Sequence, residues 1–421
     1  MYPIRVDPRY RLYGMFDIFR ELARSILPGV RPRSAEDPLL ESQLKAFFNV
    51  DHVLPVSQNR VGLYLVIRHL LAKSRDRKDV IMSPYTIADV ANMVVLAGGR
   101  PVFVDVDPAT CNIDATGLRE SITKTTGAVI VTHLHGVSAE VEDICAIGRE
   151  HDIPVVEDCA QALGARVAGK RVGTFGCAGV FSFGLYKNVN TLLGGALVTN
   201  DAAMFEELRK ELRDYPLQPF GPLLKKFVKG ITLQLSTSRP LFRTLVFPMF
   251  RYAFLNDIEV INRFAKTELD VRRKEVVPQN YLSRIRPFQA RCVISQLDRV
   301  DKNNTQRIER AHIYHEHLSG IDGLTLPPFD ADGSQIYTYY PVQVDDRAEL
   351  LRYLMKSDID VGSQHYHNLS LLEGFRHFPG DCPKTSSVVE NLILLPTYPR
   401  YPKSCVYKAA KKIVEYMRSE R

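Results

Sequence analysis

A chain of 421 residues is long enough to bury the cores of two to three domains. Its composition, with 45% hydrophobic and 24% charged residues, is typical of a soluble globular protein and excludes fibrous and disordered classes. The net charge of +7 is modest and suits small anions or an anionic membrane surface as well as nucleic acid. The charge alone therefore does not identify a partner, and no nucleic-acid partner is expected.

Seven cysteines are scattered along the chain without the spacing of a metal site or a disulfide framework. Free cysteines in this number are typical of a reducing compartment. The first residues lack the apolar core of a signal peptide. No apolar run approaches the roughly 18 residues of a membrane-spanning helix. We therefore expect a cytoplasmic protein that holds no metal ion.

An N-terminal arm is predicted for residues 1–40, which are basic and rich in proline, with an amphipathic segment at 15–26. Residues 41–214 alternate β-rich runs with helical stretches, which is typical of an α/β domain with a mostly parallel sheet. Strands are predicted at 52–56, 80–82, 101–106, 128–133, 155–157, 180–183 and 196–199, and helices within 57–74 and at 88–97 and 139–151. The last two strands leave no room for a crossover helix, so a hairpin-like connection should make the sheet mixed.

The pattern changes at residues 215–277, where aromatic and aliphatic side chains mix with lysines and arginines. Most helices of this composition bury their apolar side in protein, so a helical insertion on the large domain or on a partner subunit is expected. Basic amphipathic helices can also lie in a membrane interface. Peripheral membrane contact through residues 222–255 therefore remains an alternative.

The C-terminal residues 278–421 are predicted to form a smaller α+β domain. A heptad-like apolar repeat indicates one long helix over 287–318. A strand is predicted at 337–344, and further helices are predicted at 347–355 and 403–416.

Two charged residues follow buried strands of the large domain. Asp158 ends the run that begins at Pro154, and Lys187 follows the run at 178–183. Ligands of open α/β sheets bind at the carboxyl ends of strands, so both groups could face one small molecule. Taken singly, such an aspartate often caps a helix and such a lysine is usually solvated. The neighbouring Glu157 should point to the opposite face of the sheet.

A pyridoxal phosphate site requires a lysine for the aldehyde and a carboxylate for the ring nitrogen. It also requires donors for the phosphate and a group that covers the ring. Lys187 and Asp158 can supply the first two functions. Metal ligands are not part of this chemistry.

Several segments, in matching order and spacing, resemble the DegT/DnrJ/EryC1/StrS family of aminotransferases. They are PYTIADVANMVVLAGGRPVFVDVDPATCNID, THLHGVSAEVEDICAI, PVVEDCAQALGA and FSFGLYKN followed by GGALVTND. The resemblance runs over residues 51–201 and resumes near residue 282. It implies a pyridoxal-phosphate-dependent transferase of fold type I, like aspartate aminotransferase, that works as a homodimer with active sites at the subunit interface.

The resemblance assigns four residues to the cofactor. Lys187 lies in the family's SFxxxKN pattern and matches the lysine that bonds the cofactor aldehyde. Asp158 matches the acid of the EDxAQA motif that pairs with the pyridine nitrogen. Gln161 matches a glutamine packed near the ring, and Ser182 matches a serine that helps bind the phosphate.

The turn SQNRVGLYL occupies the place of the family's phosphate-binding turn. The backbone amides of Asn59 and Arg60 are expected to meet the phosphate at a helix N-terminus, and the Arg60 guanidinium also suits a phosphate. The ring-covering aromatic of the family falls at Ile87. Either Ile87 covers the ring, therefore, or Tyr85 does.

Two positions bear on the neighbouring subunit and on the substrate. The family's Asn-x-Arg signature, which reaches the phosphate of the neighbouring subunit, appears here as Leu282-Ser283-Arg284. His365 stands in a His-Tyr motif near the active-site mouth, and with Tyr85 it is a candidate for substrate contact. His133 and His135 are predicted to be structural.

The resemblance predicts an aminotransferase that moves an amino group, from glutamate by family analogy, to a nucleotide-linked keto sugar. One alternative is another reaction on the same scaffold, with a non-nucleotide ketone or cyclitol as acceptor, or a sugar dehydration. The related dehydratases replace the lysine with histidine, so Lys187 counts against the last. The other alternative is a cofactor-binding or membrane-associated protein whose site has drifted from catalysis.

Overall fold

A computed structural model describes residues 6–26, 38–262, 271–330, 333–363 and 366–419. The helices in chain order are α1 Met15–Ile26, α2 Pro38–Phe48, α3 Asn59–Ala72, α4 Ala88–Leu96, α5 Ala115–Ser121, α6 Val141–Glu150, α7 Ala202–Asp214, α8 Phe220–Ser236, α9 Arg239–Leu241, α10 Phe247–Leu255, α11 Glu259–Asn262, α12 Pro287–Leu297, α13 Val300–Leu318, α14 Arg347–Lys356, α15 Pro383–Asn391 and α16 Lys403–Ser419. A π-helical stretch, Phe242–Val246, joins α9 to α10.

The strands are short, and most of their residues are buried. They are β1 His52–Val56, β2 Asp79–Met82, β3 Tyr85–Thr86, β4 Arg100–Phe103, β5 Thr126–Thr132, β6 Val155–Asp158, β7 Arg166–Val167, β8 Lys170–Arg171, β9 Ala178–Ser182, β10 Gly195–Thr199, β11 Tyr339–Gln343, β12 His367–Asn368 and β13 Leu392–Pro396. The strand predicted at 101–106 is shorter in the structure, where β4 ends at Phe103.

One seven-stranded sheet, in the order β1-β10-β9-β6-β5-β2-β4, forms the large domain. The strands from β9 to β4 are parallel, whereas β10 runs antiparallel to both β9 and β1. The mixed α/β sheet predicted from the sequence is therefore confirmed. The connection between β9 and β10 carries Lys187, so this lysine lies beyond the carboxyl end of a parallel strand.

The carboxyl ends of β5, β6 and β9 meet at one edge of the sheet because these strands are parallel. Thr132 at the end of β5 is the register partner of Asp158 at the end of β6. The N-terminus of α3 comes to the same edge, where Gly195 approaches it closely. A Cβ added to Gly195 would lie 2.9 Å from the backbone nitrogen of Asn59, so the close approach requires glycine.

The prediction of one helix over 287–318 is wrong, because the chain turns at Asp298 and Arg299 and forms two helices. α12 packs on α1, whereas α13 packs on α16 of the C-terminal part. The two halves thus bury their apolar sides in different cores. The apolar spacing continues across the short turn, so the repeat did not show the break.

The C-terminal part has its own antiparallel pair, β11 with β13. α13, α14 and α16 cover a separate core that includes Tyr314, Leu350 and Ile413. β13 was not among the predicted strands. Its run of apolar residues has no alternation, and such a short run does not distinguish a strand from a buried helical segment.

Helices occupy most of the predicted insertion at residues 215–277. α8 packs on α1, and α10 packs on α14. Leu223, on the inner side of α8, is 1% exposed. Among the helices that the structure describes, none combines the length and the apolar character needed to cross a bilayer.

Candidate active site

Glu157 and Asp158 end β6 side by side, and the structure gives them different surroundings. The Glu157 carboxylate accepts the backbone N–H groups of Gly173 at 2.5 Å, Phe175 at 2.7 Å and Gly176 at 2.8 Å. These bonds fix the loop that leads into β9. Glu157 therefore has a structural role on the face of the sheet opposite to Asp158, the face that strand alternation predicted for it.

His133 completes the environment of Glu157. Its Nδ1 accepts the N–H of Ala139 at 3.1 Å, so the ring proton lies on Nε2 and is donated to Glu157 across 3.2 Å. Cys159 lies beside this pair, and burial raises the pKa of its thiol. One ring nitrogen carries the proton and the lone pair of the other accepts the Ala139 N–H, so neither nitrogen is free for a metal ion and this buried group is a hydrogen-bonded core cluster.

Asp158 lies on the other face and meets the start of α3. Its Oδ1 accepts the side-chain amide of Asn59 at 3.2 Å and the N–H of Ala160 at 3.1 Å. Burial raises the pKa of Asp158, while Ala160, Lys187 and Asn59 oppose the rise. Both bonds from described residues end on Oδ1, so Oδ2 keeps its acceptor capacity for a cationic ligand group.

Lys187 is partly buried on the connection between β9 and β10. Burial lowers the pKa of Lys187 to about 8; the negative charge of Asp158 raises it and the positive charge of Arg60 lowers it. The three groups therefore share one electrostatic environment. A lysine with such a pKa is a neutral nucleophile at mildly alkaline pH.

A buried arginine of α13 holds the Lys187 loop. Arg307, 2% exposed, donates to Asn188 Oδ1 at 2.7 Å, to the hydroxyl of Tyr13 at 2.7 Å and to the carbonyl of Thr338 at 2.8 Å. It joins the loop to the N-terminal segment and to the C-terminal part. Sequence reasoning missed this residue, because it is one of many arginines in a polar helix.

Gln161 is fixed at both ends of its amide group. Its Oε1 accepts the N–H of His135 at 3.0 Å, and its Nε2 donates to the hydroxyl of Tyr366 at 2.8 Å. The Tyr85 ring lies 5.6 Å from that of Tyr366 and 6.2 Å from that of His135. Tyr85 and Gln161 thus belong to one group of side chains.

His135, for which a structural role was predicted, has an unusual environment. It is fully buried in the left-handed region at φ 56°, and neither ring nitrogen has a hydrogen-bond partner among the described residues. Burial lowers the pKa of His135 to about 3, so the ring is neutral. Its position three residues after β5, whose last residue pairs with Asp158, was the signal that could have singled it out.

The first turn of α3 faces the same edge of the sheet. Its first residues, Asn59 and Arg60, precede the bond from Val61 N–H to the carbonyl of Gln58, so their own amides have no acceptor inside the helix. Asn59 contributes more than its amide, since its side chain binds Asp158. The sequence did not predict that contact.

The Arg60 guanidinium already has protein partners. It forms an ion pair with Asp89 and donates to the Tyr281 hydroxyl at 3.0 Å. Asp89 also binds Lys274 and accepts a hydrogen bond from Tyr281 at 3.1 Å. A role for the Arg60 side chain at a phosphate therefore stays a prediction.

The remaining predicted residues are placed as follows. Ser182 ends β9 and accepts the N–H of Gly184 at 3.4 Å. Ile87 precedes α4 and packs, partly buried, against the core between α3 and the sheet. In the 282–284 segment Arg284 donates to the carbonyl of Tyr215 at 2.8 Å. His365 lies outside the described residues.

A cavity of about 640 Å³ lies elsewhere, beside the carboxyl end of α13. Asp107, Asp114, Glu140 and His315 line it, and none of the predicted site residues does. It offers no lysine for an aldehyde. The edge with Lys187 and Asp158 is therefore the candidate site, and this cavity is not.

Comparison with protein families identifies the chain. The profile described as the DegT/DnrJ/EryC1/StrS aminotransferase family matches residues 34–223 and 257–415. The chain belongs to this aminotransferase family. The unmatched stretch of the aminotransferase, 224–256, lies inside the predicted insertion and contains most of α8 and all of α9 and α10.

Named relatives of this aminotransferase act on different ketones. The UDP-N-acetyl-3-dehydro-alpha-D-glucosamine 3-aminotransferase of Acidithiobacillus ferrooxidans is 37% identical over 171 residues, 40% of this chain and 46% of that protein. The L-glutamine:2-deoxy-scyllo-inosose aminotransferase of Micromonospora echinospora is 30% identical over 297 residues, 70% of this chain and 59% of that protein.

A solved structure gives the same fold. DesV from S. venezuelae, determined in complex with a ketimine intermediate, superposes with a TM-score of 0.73 at 23% identity, and the match covers 96% of this chain and 94% of DesV. The predicted fold class is confirmed by this likeness, and the predicted transaminase class by the family.

Proposed function

We propose that this aminotransferase uses pyridoxal 5'-phosphate to move an amino group onto a keto sugar, with a nucleotide-linked sugar as the first candidate. The observation that carries the proposal is the meeting of Lys187, buried Asp158 and the first turn of α3 at one edge of the sheet. The A. ferrooxidans relative, which is named for a nucleotide-linked sugar, supports the substrate class.

The donor set at this edge fits the cofactor. Pyridoxal phosphate supplies an aldehyde that a lysine can bond and a ring that withdraws electrons when its nitrogen is protonated. Asp158 would hold that nitrogen through Oδ2, the oxygen that accepts no hydrogen bond from described residues. The amides of Asn59 and Arg60, with the hydroxyl of Ser182, would hold the phosphate.

The remaining residues orient and cover the ring. Gln161 is immobilised by Tyr366 and by the His135 N–H, so it can keep one side of the ring in place. Tyr85 is buried beside Tyr366 and His135, whereas Ile87 packs against the core between α3 and the sheet. We therefore favour Tyr85 over Ile87 as the ring cover.

Lys187 has the second task of moving a proton. With a pKa of about 8, a usable fraction of its side chains is neutral at physiological pH. A neutral amine beside the reacting carbon can take up a proton and return it. Asp158 would stay charged beside a protonated ring nitrogen, because an opposite charge lowers the pKa of a carboxylate and so opposes the effect of burial.

A second acceptor class has specific support. The M. echinospora relative is named for a cyclitol ketone and for glutamine as amino donor, and it matches more of this chain than the sugar relative does. A cyclitol acceptor and a glutamine donor are therefore the second candidate function. A dehydratase is disfavoured by Lys187.

We further propose that the working form is a homodimer in a reducing compartment. The family resemblance supports the dimer, since its active sites lie at the subunit interface. The free cysteines of the described chain support the compartment. Light scattering on the purified protein should give a mass near twice 47.7 kDa; a monomer that is fully active would contradict the dimer.

The proposed function is tested by its two half-reactions. The protein loaded with pyridoxal phosphate is mixed with L-glutamate or L-glutamine, and the 2-oxo acid is measured before any ketone is added. One equivalent per site is expected. A UDP-linked keto sugar and 2-deoxy-scyllo-inosose are then offered in parallel as acceptors. Failure of both amino donors with the loaded protein would refute the proposal.

A further inference from the structure

α8 presents an apolar stripe to solvent. The stripe consists of Phe220, Leu224, Val228, Ile231 and Leu235. Steps of four, four, three and four residues place these side chains on one side of a helix. Each is between 40% and 59% exposed. Scattered surface leucines are ordinary, but a row of five on one helix marks an interaction surface.

The opposite side of α8 is already seated on the protein. Leu223 is buried in a cluster with Leu185 and Met15. Gly230 lies so close to that cluster that an added Cβ would come within 2.7 Å of Met15. α8 therefore already packs on the protein through another side, and the α8 stripe faces solvent.

α1, which packs on α8, adds two exposed aromatic side chains. Phe16 is 73% exposed and Phe19 is 60% exposed, while Ile18 between them is fully buried. α1 and α8 therefore each bury one side in the protein and expose apolar side chains on a different side. Bulky aromatic residues are frequent where helices enter a membrane interface.

The charge of the segment identifies the partner. Residues 220–255 contain six lysines and arginines and no aspartate or glutamate. Arg239 and Arg243 share Asp7, and Arg251 binds Asp358, so all three arginines have an ion-pair partner. The other three are lysines of α8, and none has an acidic partner within ion-pair distance in the part of the chain that the structure describes. They are Lys225, Lys226 and Lys229, of which Lys225 and Lys229 are exposed and Lys226 is partly buried on the side of Arg60.

A second copy of α8 is a poor occupant for this surface. If the stripe lay on the axis of a two-fold dimer, α8 would meet its own copy, and the α8 lysines would oppose lysines with no acid on α8 to compensate. An anionic lipid surface supplies both an apolar layer and negative headgroups. We propose that α8, with Phe16 and Phe19 of α1, docks the protein in the plane of an anionic membrane.

Docking through α8 would bring the loop that carries Lys187 close to the bilayer surface. The Lys229 ammonium lies 5.6 Å from the ring centroid of Tyr186, the residue before Lys187. Leu185, two residues before Lys187, packs against the inner side of α8. The surface therefore adds a membrane location to the proposed reaction, and its test needs no catalysis.

The test is sedimentation of the full-length, cofactor-loaded protein with phosphatidylcholine vesicles, with and without phosphatidylglycerol. The protein should sediment only with the anionic vesicles, and added salt should release it. The variant with Leu224, Val228, Ile231 and Leu235 all changed to Gln should lose binding by roughly tenfold or more. Matched changes at exposed apolar residues elsewhere, Leu371→Gln and Tyr407→Gln, should leave binding unchanged.

Two results would overturn the proposal. One is equal sedimentation of the wild type and the α8 variant, or none of either. The other concerns the oligomeric state, measured by light scattering. If the wild type is a dimer that does not bind vesicles and the α8 variant is an active monomer, the stripe is an interface with a second copy. Lys225→Gln with Lys229→Gln should weaken the binding to anionic vesicles, and unchanged binding would count against the charge argument.

Discussion

Asn59 donates its side-chain amide to Oδ1 of Asp158 across 3.2 Å, so the first residue of α3 and the last residue of β6 meet in one buried site. The same helix end offers its free amides to a phosphate. Asn59 Oδ1 is itself buried without a partner among the described residues. One residue thus links the two ends of the proposed cofactor site.

Asp158→Asn should leave the fold intact and remove activity. The amide oxygen of asparagine can still accept from Asn59 and Ala160, but it cannot stabilise a protonated ring nitrogen. We expect turnover to fall by at least about 100-fold, the lower end of what a positioned proton partner contributes. Steady-state kinetics check this; turnover within a few-fold of the wild type would remove Asp158 from its proposed role.

Glu157→Gln should show the reverse pattern and serve as the matched control. The new NH₂ group would face backbone N–H donors that Glu157 now satisfies. Leaving a buried donor unpaired is expected to cost about 3 kcal/mol of unfolding free energy. Denaturant unfolding measures this loss. Turnover of the folded fraction should remain close to that of the wild type.

Capture of the cofactor by the cofactor-free protein should depend on pH through Lys187. Its pKa is lowered to about 8 from 10.5, so the neutral amine accumulates as the pH rises through about 8. The rate at which the absorption band of the lysine-bound cofactor appears should rise with pH and level off above that point. Stopped-flow absorbance measures the midpoint, and a midpoint near 10.5 would contradict the lowered pKa.

Two variants should move that midpoint in opposite directions. Arg60→Gln removes a positive charge that lowers the Lys187 pKa, so the midpoint should rise. Asp158→Asn removes a negative charge that raises the pKa, so the midpoint should fall. Lys274 remains as a partner of Asp89 in the first variant. Shifts of the same sign in both variants would refute the shared environment.

Tyr366→Phe should weaken cofactor binding through Gln161. The change removes the hydroxyl that holds the Gln161 amide at 2.8 Å and leaves a polar group without its partner. We expect about tenfold weaker binding of pyridoxal phosphate, which corresponds to one lost hydrogen bond. Equilibrium titration of the cofactor-free protein measures this. Tyr407→Phe, on the exposed side of α16, should bind the cofactor normally.

The large domain was predictable because its strands and helices repeat at clear periods and end at glycine or proline. Asp158 and Lys187 stood out because they lie at or after the ends of such strands, and the family motifs assigned their roles. The break at Asp298 was not, since the apolar repeat continues across it. Contacts made by chain segments far apart in sequence, such as Arg307 with Asn188, leave no local pattern.

The insertion shows a different limit of the sequence. Its amphipathic character was visible in the sequence. Packing on protein and contact with a membrane both predict this pattern, so the pattern did not distinguish them. The structure shows that α8 does pack through Leu223 and still exposes Leu224 and Val228 on its other side. Helical spacing alone does not give the width of the buried face, and so it does not reveal the second surface.

The most direct test of the proposed site is reduction of the cofactor-loaded protein with borohydride, followed by mass spectrometry of its peptides. Reduction makes the bond between a lysine and the cofactor permanent, so the modified residue can be read out. We predict that the cofactor is found on Lys187, and that Lys187→Ala carries none. Cofactor attached to another lysine, or no covalent attachment in the active wild-type protein, would contradict the account.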